Sequence, residues 1–448
     1  MDFHKHLPHT LCALIFLLST LLTVFSDSAT VGINYGRIAD DLPPPQQVVQ
    51  LLKAQGITKA KLFDADANVL SAFSGSGISV TVALPNEQLA AAASDQSHAD
   101  TWIESSILPY HPNTLIEAIA VGNEVFADAG NTTQYLVPAM HNLYASLVKY
   151  DVASSIRLSS PLALSALETS YPSSSGSFKP DLVEPVIRPM LNFLNQTSSY
   201  LMVNAYPFFA YTANADTISL DYALFRENSG NVDPNNGLVY KSLLDAQIDA
   251  VFAAMAKLGF DNVKIVVTET GWPSKGDENE IGASEANAAA YNGNLVRRAL
   301  AGGGTPLRPE EPLNVFLFAL FNENQKSGPV SERNYGLFYP NMQRVYDVPL
   351  TAGGLNESGG GVGETWCVAN EKAGEAKLQE ALDYACGRGR ADCRSIQPGA
   401  TCYDPSTLVA HASYAFNSYY QRNERQSGTC DFGGAAYVVT QRPSELFL

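Results

Sequence analysis

What most constrains this chain is a repeated pairing of a short apolar run with a longer segment of helical periodicity, beginning at Val31 and continuing to about residue 350. Eight runs rich in β-branched and aromatic residues, at 31–35, 60–64, 78–84, 116–122, 155–160, 201–206, 263–269 and 314–321, predict strands. Most are apolar throughout, as in KIVVTET and VFLFALF, which suits strands covered on both faces. Between them, segments 45–55, 97–108, 133–149, 184–195, 240–258 and 284–301 carry apolar residues at helical spacing. Eight strands alternating with helices over this length predict an α/β fold of the (β/α)8 type. The rival, an open doubly wound sheet, would carry a glycine-rich phosphate turn after its first strand; that strand ends instead in Asn34-Tyr35-Gly36.

Cysteine placement divides the chain. Residues 1–26 have a weakly basic start at Lys5 and an apolar stretch over 11–25, short for a membrane span and suited to a signal peptide. Cys12 would leave with it. The other five cysteines, Cys367, Cys386, Cys393, Cys402 and Cys430, lie in the last quarter, and residues 30–366 have none. A domain over 30–350 must therefore stand on its hydrophobic core, whereas a small one over 365–448 leans on disulfides. Residues 351–364 hold six glycines in fourteen positions and read as a linker. Three sequons, at Asn131, Asn195 and Asn356, fit export. No apolar tail closes the sequence, so no membrane anchor is expected.

With 45 acidic against 28 basic side chains the net charge is −17, which excludes a partner held through its phosphates, nucleic acid above all. The excess of acid belongs to residues 1–364, because 365–448 carry only −1. After the signal, histidines remain at 98, 111, 141 and 411, none at metal-ligand spacing with another His or Cys, and there is no G-x-S-x-G elbow. Neither a metal site nor a cofactor is expected. Carboxylates are left. Glu124 follows an apolar strand in AIAVGNEV and Glu269 ends another in IVVTETGWPS, by count the fourth and seventh strands. In such a barrel the C-terminal strand ends face the active site. Two carboxyls converging there are what glycoside hydrolysis requires, one to donate a proton to the leaving oxygen and one to attack the anomeric carbon.

The blocks VGINYG (31–36), VGNE (121–124), NAYPFF (204–209), VVTETGWPSK (266–275), FALFNENQK (318–326) and NYGLFYPN (334–341) resemble glycoside hydrolase family 17, the plant β-1,3-glucanases, over residues 31–350. That resemblance implies Glu269 as nucleophile and Glu124 as general acid/base of a retaining mechanism, with carboxyls about 5 Å apart. It also implies that Glu323 and Lys326 form a charged pair orienting them, the Lys favouring an ionised carboxylate. Asn123 would meet a sugar 2-hydroxyl, Asn204 would support the site, and Tyr35, Tyr206 and Trp272 are candidates for sugar contact. Many relatives carry Arg and Tyr where this chain has Lys61 and Phe63, which bears on subsite preference.

In the tail, WCVAN (366–370), ACGRGRADC (385–393), IQPGATCYDP (396–405), HASYAFNSYYQ (411–421) and CDFGG (430–434) resemble carbohydrate-binding module family 43, a small, mainly helical, glucan-binding domain. The two together resemble secreted glucanases known among pollen allergens. The resemblance implies bridges Cys367–Cys430 and Cys386–Cys393, with Cys402 outside both, since the usual sixth cysteine is missing. Tyr414, Phe416, Tyr419 and Tyr420 are candidates for sugar stacking, but residues 416, 419 and 420 share one helical face, which favours a place in the core.

The expected protein is a monomeric, secreted endo-β-1,3-glucanase of the extracellular space or wall rather than the vacuole. Its partner is β-1,3-glucan, a neutral polymer compatible with an acidic surface. A non-catalytic glucan-binding wall protein and a glucanosyltransferase are the alternatives; the latter passes the same covalent intermediate to a sugar rather than to water.

Overall fold

A computed structural model describes residues 29–351 apart from 129 and 131, and residues 365–439 apart from 401 and 424–428. The expected signal peptide, the glycine-rich linker and the sequons' Asn131 and Asn356 lie outside the described residues. Asn195 is exposed, near the end of helix Arg188–Gln196. The chain forms two compact units that divide near residue 355.

In the first unit, parallel strands β1 (Val31–Asn34), β2 (Lys59–Lys61), β3 (Ser79–Leu84) and β4 (Leu115–Val121) pair in sequence order. The fifth strand, expected over 155–160, is β5a (Arg157–Ser159), and a second short segment, β5b (Pro161–Ala163), follows beyond the expected range. β5a pairs with β4, whereas β5b pairs with β6 (Leu201–Asn204), so one strand breaks at Ser160 and serves a different neighbour on each side. Proline has no N–H for a ladder, which is why the break falls at Pro161. β7 (Ile265–Thr270) follows β6, and β8 (Val315–Leu317) pairs with both β7 and β1. The nine hydrogen-bonded segments thus make a nearly closed barrel of eight strand positions. Regular pairing in the eighth ends at Leu317 rather than Phe321, because the chain leaves the sheet to line the mouth of the barrel with Phe318, Glu323 and Lys326.

Strands that read as apolar throughout do alternate once their surroundings are seen. Ile33, Ala60, Val80, Val82, Ile119, Val121, Val203 and Val267 belong to the large core shared with the surrounding helices. Their sequence neighbours, on the opposite face of the pleat, are small or polar: Ala83, Ala118, Ala120 and Met202 form a separate cluster, and Asn34, Lys61, Thr81, Asn204 and Thr268 are buried polar groups. Small residues obscured the period because alanine counts as apolar in either position. Gly32 belongs to this inner face. A Cβ there would fall 2.5 Å from the Phe316 ring, so only glycine leaves room for that ring.

Helices Pro45–Ala54, Gln96–Ser106, Thr133–Lys149, Leu243–Lys257 and Glu285–Leu300 cover the barrel close to their expected positions. Ser242 and Ser284 cap the last two by accepting the backbone N–H of Asp245 and Asn287.

In the second unit, β9 (Trp366–Ala369) pairs antiparallel with β10 (Ala436–Val439), beside helices Glu375–Cys386 and Leu408–Arg422. Of the aromatic stripe, Phe416 and Tyr420 are core residues, and the Phe416 ring stacks on Phe432 at 4.3 Å between centroids. Disulfides join Cys367 to Cys430 and Cys386 to Cys393; neither includes Cys402. They close loops of 63 and 7 residues. Chain-entropy arguments then give about 4 kcal/mol to the long bridge and about 2 to the short one. Replacing the pair Cys367/Cys430 by Ala should therefore lower the module's denaturant midpoint more than replacing Cys386/Cys393, as read by urea titration of the full chain.

Candidate active site

A cleft of about 880 Å³ crosses the C-terminal mouth of the barrel, and Glu124, Glu269, Asn123, Asn204, Tyr35, Tyr206, Glu323 and Lys326 all line it. Five strands, β1, β4, β6, β7 and β8, and the loops behind them had to converge to bring those positions together. Glu269 arrives by way of a β-bulge. The register of β7 against β6 shifts between Val267 and Glu269, which re-aims the strand end where it leaves the ladder. Glu124 arrives by way of a left-handed backbone, at φ 48° and ψ 41°, a region sparsely used by residues with a Cβ. Gly122, at φ +67°, makes that turn accessible; a Cβ there would sit 2.6 Å from Val125 and 2.8 Å from the Asn86 side chain. Asn86 fixes the turn by accepting the Asn123 N–H at 2.7 Å and donating to the Asn123 carbonyl at 3.0 Å. The Glu124 N–H donates to the Pro161 carbonyl at 3.0 Å.

The two carboxyls have different surroundings. Glu269 is 5% exposed and forms a buried ion pair, its Oε1 lying 2.8 Å from Lys61 Nζ, while the Tyr206 hydroxyl donates to Oε2 at 3.0 Å. Burial raises the Tyr206 hydroxyl well above the usual phenol range, which keeps it a donor. Among the described residues Glu124 forms no ion pair. Burial first and the neighbouring Glu269 charge second push its carboxyl above the ordinary range, opposed by a hydrogen bond from Asn204 and by Lys61. That bond, from Asn204 Nδ2 to Glu124 Oε1, is 2.9 Å. The Asn204 amide is itself held in register, because its Oδ1 accepts the Thr268 hydroxyl at 2.9 Å and its Nδ2 also approaches Asn123 Oδ1 at 3.4 Å. The two neighbouring carboxyls thus differ in their surroundings: one is paired with the Lys61 ammonium, and the other is raised above the ordinary carboxylate range.

Three expectations need correction. Trp272 lies outside the cleft lining and is 0% exposed; its indole N–H donates to the Gly282 carbonyl at 2.9 Å, and its ring packs among Phe208, Tyr211 and Tyr291. It pins the loop after β7 to the barrel, and sequence adjacency to a catalytic strand end could not distinguish that from sugar contact. Glu323 and Lys326 both line the cleft, but among the described residues no ion pair joins them. Lys326 Nζ meets Glu332 at 3.1 Å, and Glu323 Oε1 accepts the Ile38 N–H at 2.7 Å. Burial raises the Glu323 carboxyl, with the Lys326 charge among the opposing influences. Lys61, taken as a marker of subsite preference, instead sits directly on Glu269, with Nζ 3.9 Å above the Phe63 ring. Asn86 and Thr268 escaped notice altogether, since a lone Asn after a strand and a Thr between Val267 and Glu269 carry no distinctive spacing.

Comparison with known proteins agrees with this architecture. Residues 31–350 match the Glycosyl hydrolases family 17 profile and residues 365–437 the X8 domain. Glucan endo-1,3-beta-glucosidase 13 of Arabidopsis thaliana is 44% identical over 96% of this chain and 87% of its own length. Glucan endo-1,3-beta-glucosidase 12 of the same plant is 40% identical over 94% and 84%. Among solved structures, the pollen β-1,3-glucanase and allergen CJP38 of Cryptomeria japonica superposes with a TM-score of 0.69 at 40% identity, over 72% of this chain and 99% of that one. One of two plant β-glucan endohydrolases with distinct substrate specificities gives 0.66 at 38%, over 71% and 99%.

The Asn204 contact makes a testable prediction. Because its amide stabilises the ionised Glu124, Asn204→Ala should raise the Glu124 pKa further, moving its titration to higher pH in carbon-13 NMR of the labelled carboxyls; an unchanged or lowered value would contradict the assigned geometry. With cleft, carboxyl pair and matching blocks in place, the chain belongs to glycosyl hydrolases family 17, followed by an X8 domain.

Proposed function

We propose that the protein is a secreted endo-1,3-β-glucanase that cleaves internal β-1,3-glucosidic bonds of a glucan chain with retention of configuration, its X8 domain holding the polymer. The observation that carries the mechanism is the contrast between the two carboxyls: Glu269 in a buried ion pair with Lys61, and Glu124 biased toward its protonated form.

In the first step Glu269 attacks the anomeric carbon through one carboxylate oxygen while Glu124 protonates the departing glycosidic oxygen, and the aglycone portion of the chain leaves. Lys61 and Tyr206 grip one oxygen each, which fixes the rotation of the attacking carboxylate. In the second step Glu124, now ionised, removes a proton from water as its oxygen attacks the glycosyl–Glu269 ester; sugar and free Glu269 are released and Glu124 is again protonated. Asn204 can donate to Glu124 in either state, and it stabilises the ionised form made midway. Asn123, beside it, is placed for the 2-hydroxyl. Tyr206 offers its hydroxyl and ring surface to the sugar, whereas Tyr35, expected as a second sugar contact, borders the cleft but is 2% exposed and has little surface to offer.

Delivery to the cell exterior or wall is consistent with two disulfides in the X8 domain. Among the described residues no helix is long and apolar enough to cross a membrane.

Two outcomes are expected. Glu269→Gln should reduce laminarin hydrolysis at least about a thousand-fold while laminarin binding persists; retained turnover would overturn the assignment. The first step needs Glu124 protonated and its pKa is raised, so kcat/KM should fall as pH rises through a value above that of an ordinary glutamate, about 4.3. Glu124→Gln should lose that alkaline limb along with most activity, and azide should restore turnover of a substrate whose leaving group needs no proton.

A further inference from the structure

The cleft has two chemically different sides. Where β8, β1 and β2 lie together, it is lined by Arg37, Asp64, Glu323, Lys326 and Glu332, all charged. Across the mouth, beyond β5b and β6, the lining is Leu164, Ser165, Ser170, Phe209 and Gln247, with no charge among them.

Gln247 is the unexpected member. It belongs to helix Leu243–Lys257 of the outer ring, and it alone among the residues of that helix lines the cleft. It is 9% exposed, and its Oε1 is buried without a hydrogen-bond partner among the described residues. A buried amide oxygen left unpaired carries a desolvation penalty that folding ordinarily avoids. The backbone around it is fixed on several sides. Asp245 ion-pairs with Arg298, the Ala246 carbonyl accepts the Ser173 hydroxyl at 2.8 Å, and Asp249 accepts the Leu307 N–H at 2.8 Å. The side chain therefore cannot find a partner by shifting its helix. Its terminal torsion, by contrast, is soft, so the amide can turn toward a group entering the cleft.

We propose that Gln247 binds a glucosyl unit remote from the scissile bond and sets this enzyme's preference for longer chains. The inference rests on the β-1,3-glucanase reading. A primary amide offers an acceptor and donors side by side, which matches the vicinal hydroxyls of a pyranose, one donating and one accepting. Phe209, 45% exposed, presents a ring to the apolar face of the same sugar. That ring packs 5.3 Å from Tyr206, whose hydroxyl reaches Glu269, so the neutral side of the cleft is continuous with the reacting centre. A neutral sugar is the ligand this side suits, since an anionic one would meet no cation there.

The test compares Gln247→Met, which keeps length and helix propensity, with wild type on 1,3-linked gluco-oligosaccharides of three to six units. The expected result is kcat/KM lowered about five- to twenty-fold on the hexamer, within two-fold of wild type on the trimer, and a Tm equal to or above that of wild type, since Met removes an unpaired buried oxygen. Gln247→Glu, which keeps the shape and an acceptor oxygen, should lose less on the hexamer than the Met variant. Equal rates at every length, or a fall of equal size at every length, would overturn the role, the second because it marks a structural effect. Wild-type enzyme inactive at all lengths would instead defeat the glucanase reading itself, and is told apart because it appears before any variant is made.

Discussion

The ion pair between Lys61 and Glu269 is the constraint around which the barrel is organised. Both groups are almost wholly buried, with side chains 1% and 6% exposed. Taking two charges out of water is unfavourable, and removing one partner of such a pair strands the other at a penalty of about 3–5 kcal/mol. The pair is tolerable only if its geometry is held, and the barrel holds it by placing Lys61 at the end of β2 and Glu269 at the end of β7 with β1 and β8 between them. Asn34 on β1 strengthens this join, its Nδ2 donating to the Thr268 carbonyl at 3.0 Å and to the Leu317 carbonyl at 3.2 Å. Closure of the ring and the placement of the Glu269 carboxyl are thus the same structural problem. A Lys rather than an Arg suits it, because a point charge can meet one carboxylate oxygen and leave the other to Tyr206.

The second carboxyl depends on the first. Glu124 is raised partly by the charge of the neighbouring Glu269, so the residue that Lys61 holds in place also acts on the second carboxyl. Lys61 acts on Glu124 in the opposite sense through its own charge, but that influence ranks below both burial and the Glu269 charge. The left-handed backbone at Glu124 belongs to the same design. A residue with a Cβ adopts φ 48° only where its surroundings enforce it, and the Asn86 clamp with Gly122 behind it supplies that enforcement.

How much of this was legible in the sequence varies with the physical signal. Strand and helix positions were readable because β-branched runs and helical periodicity are properties of consecutive residues. The barrel followed from their count. Glu124 and Glu269 were readable because each ends an apolar strand, which places a carboxylate where the fold puts chemistry. Pro161 in RLSSPLAL marked where the fifth strand breaks, but not that the chain resumes as a second segment with another neighbour, which only the partners of the two halves show. Lys61 carried a local signal, a charge within a short strand, but its partner lies 208 residues away and sequence spacing cannot supply it. Trp272 misled for a related reason: a large amphipathic ring beside a catalytic strand suits both sugar and core, and burial alone decides.

The unequal sides of the cleft connect the catalytic centre to the kind of polymer it takes. The charged side is largely spoken for internally: Arg37 pairs with Asp64, Lys326 with Glu332, and Glu323 accepts from Ile38. Charges committed in this way contribute shape and field but have little left to offer a neutral hydroxyl without giving up a partner. The neutral side has uncommitted polar atoms and an exposed ring, so selectivity among neutral glucans should arise there, while the charged side maintains the electrostatics of the two carboxyls. Division of labour of this kind is what a neutral substrate demands of an acidic barrel: the charges needed for bond cleavage must be satisfied by one another before the sugar arrives, or each binding event would have to desolvate them anew.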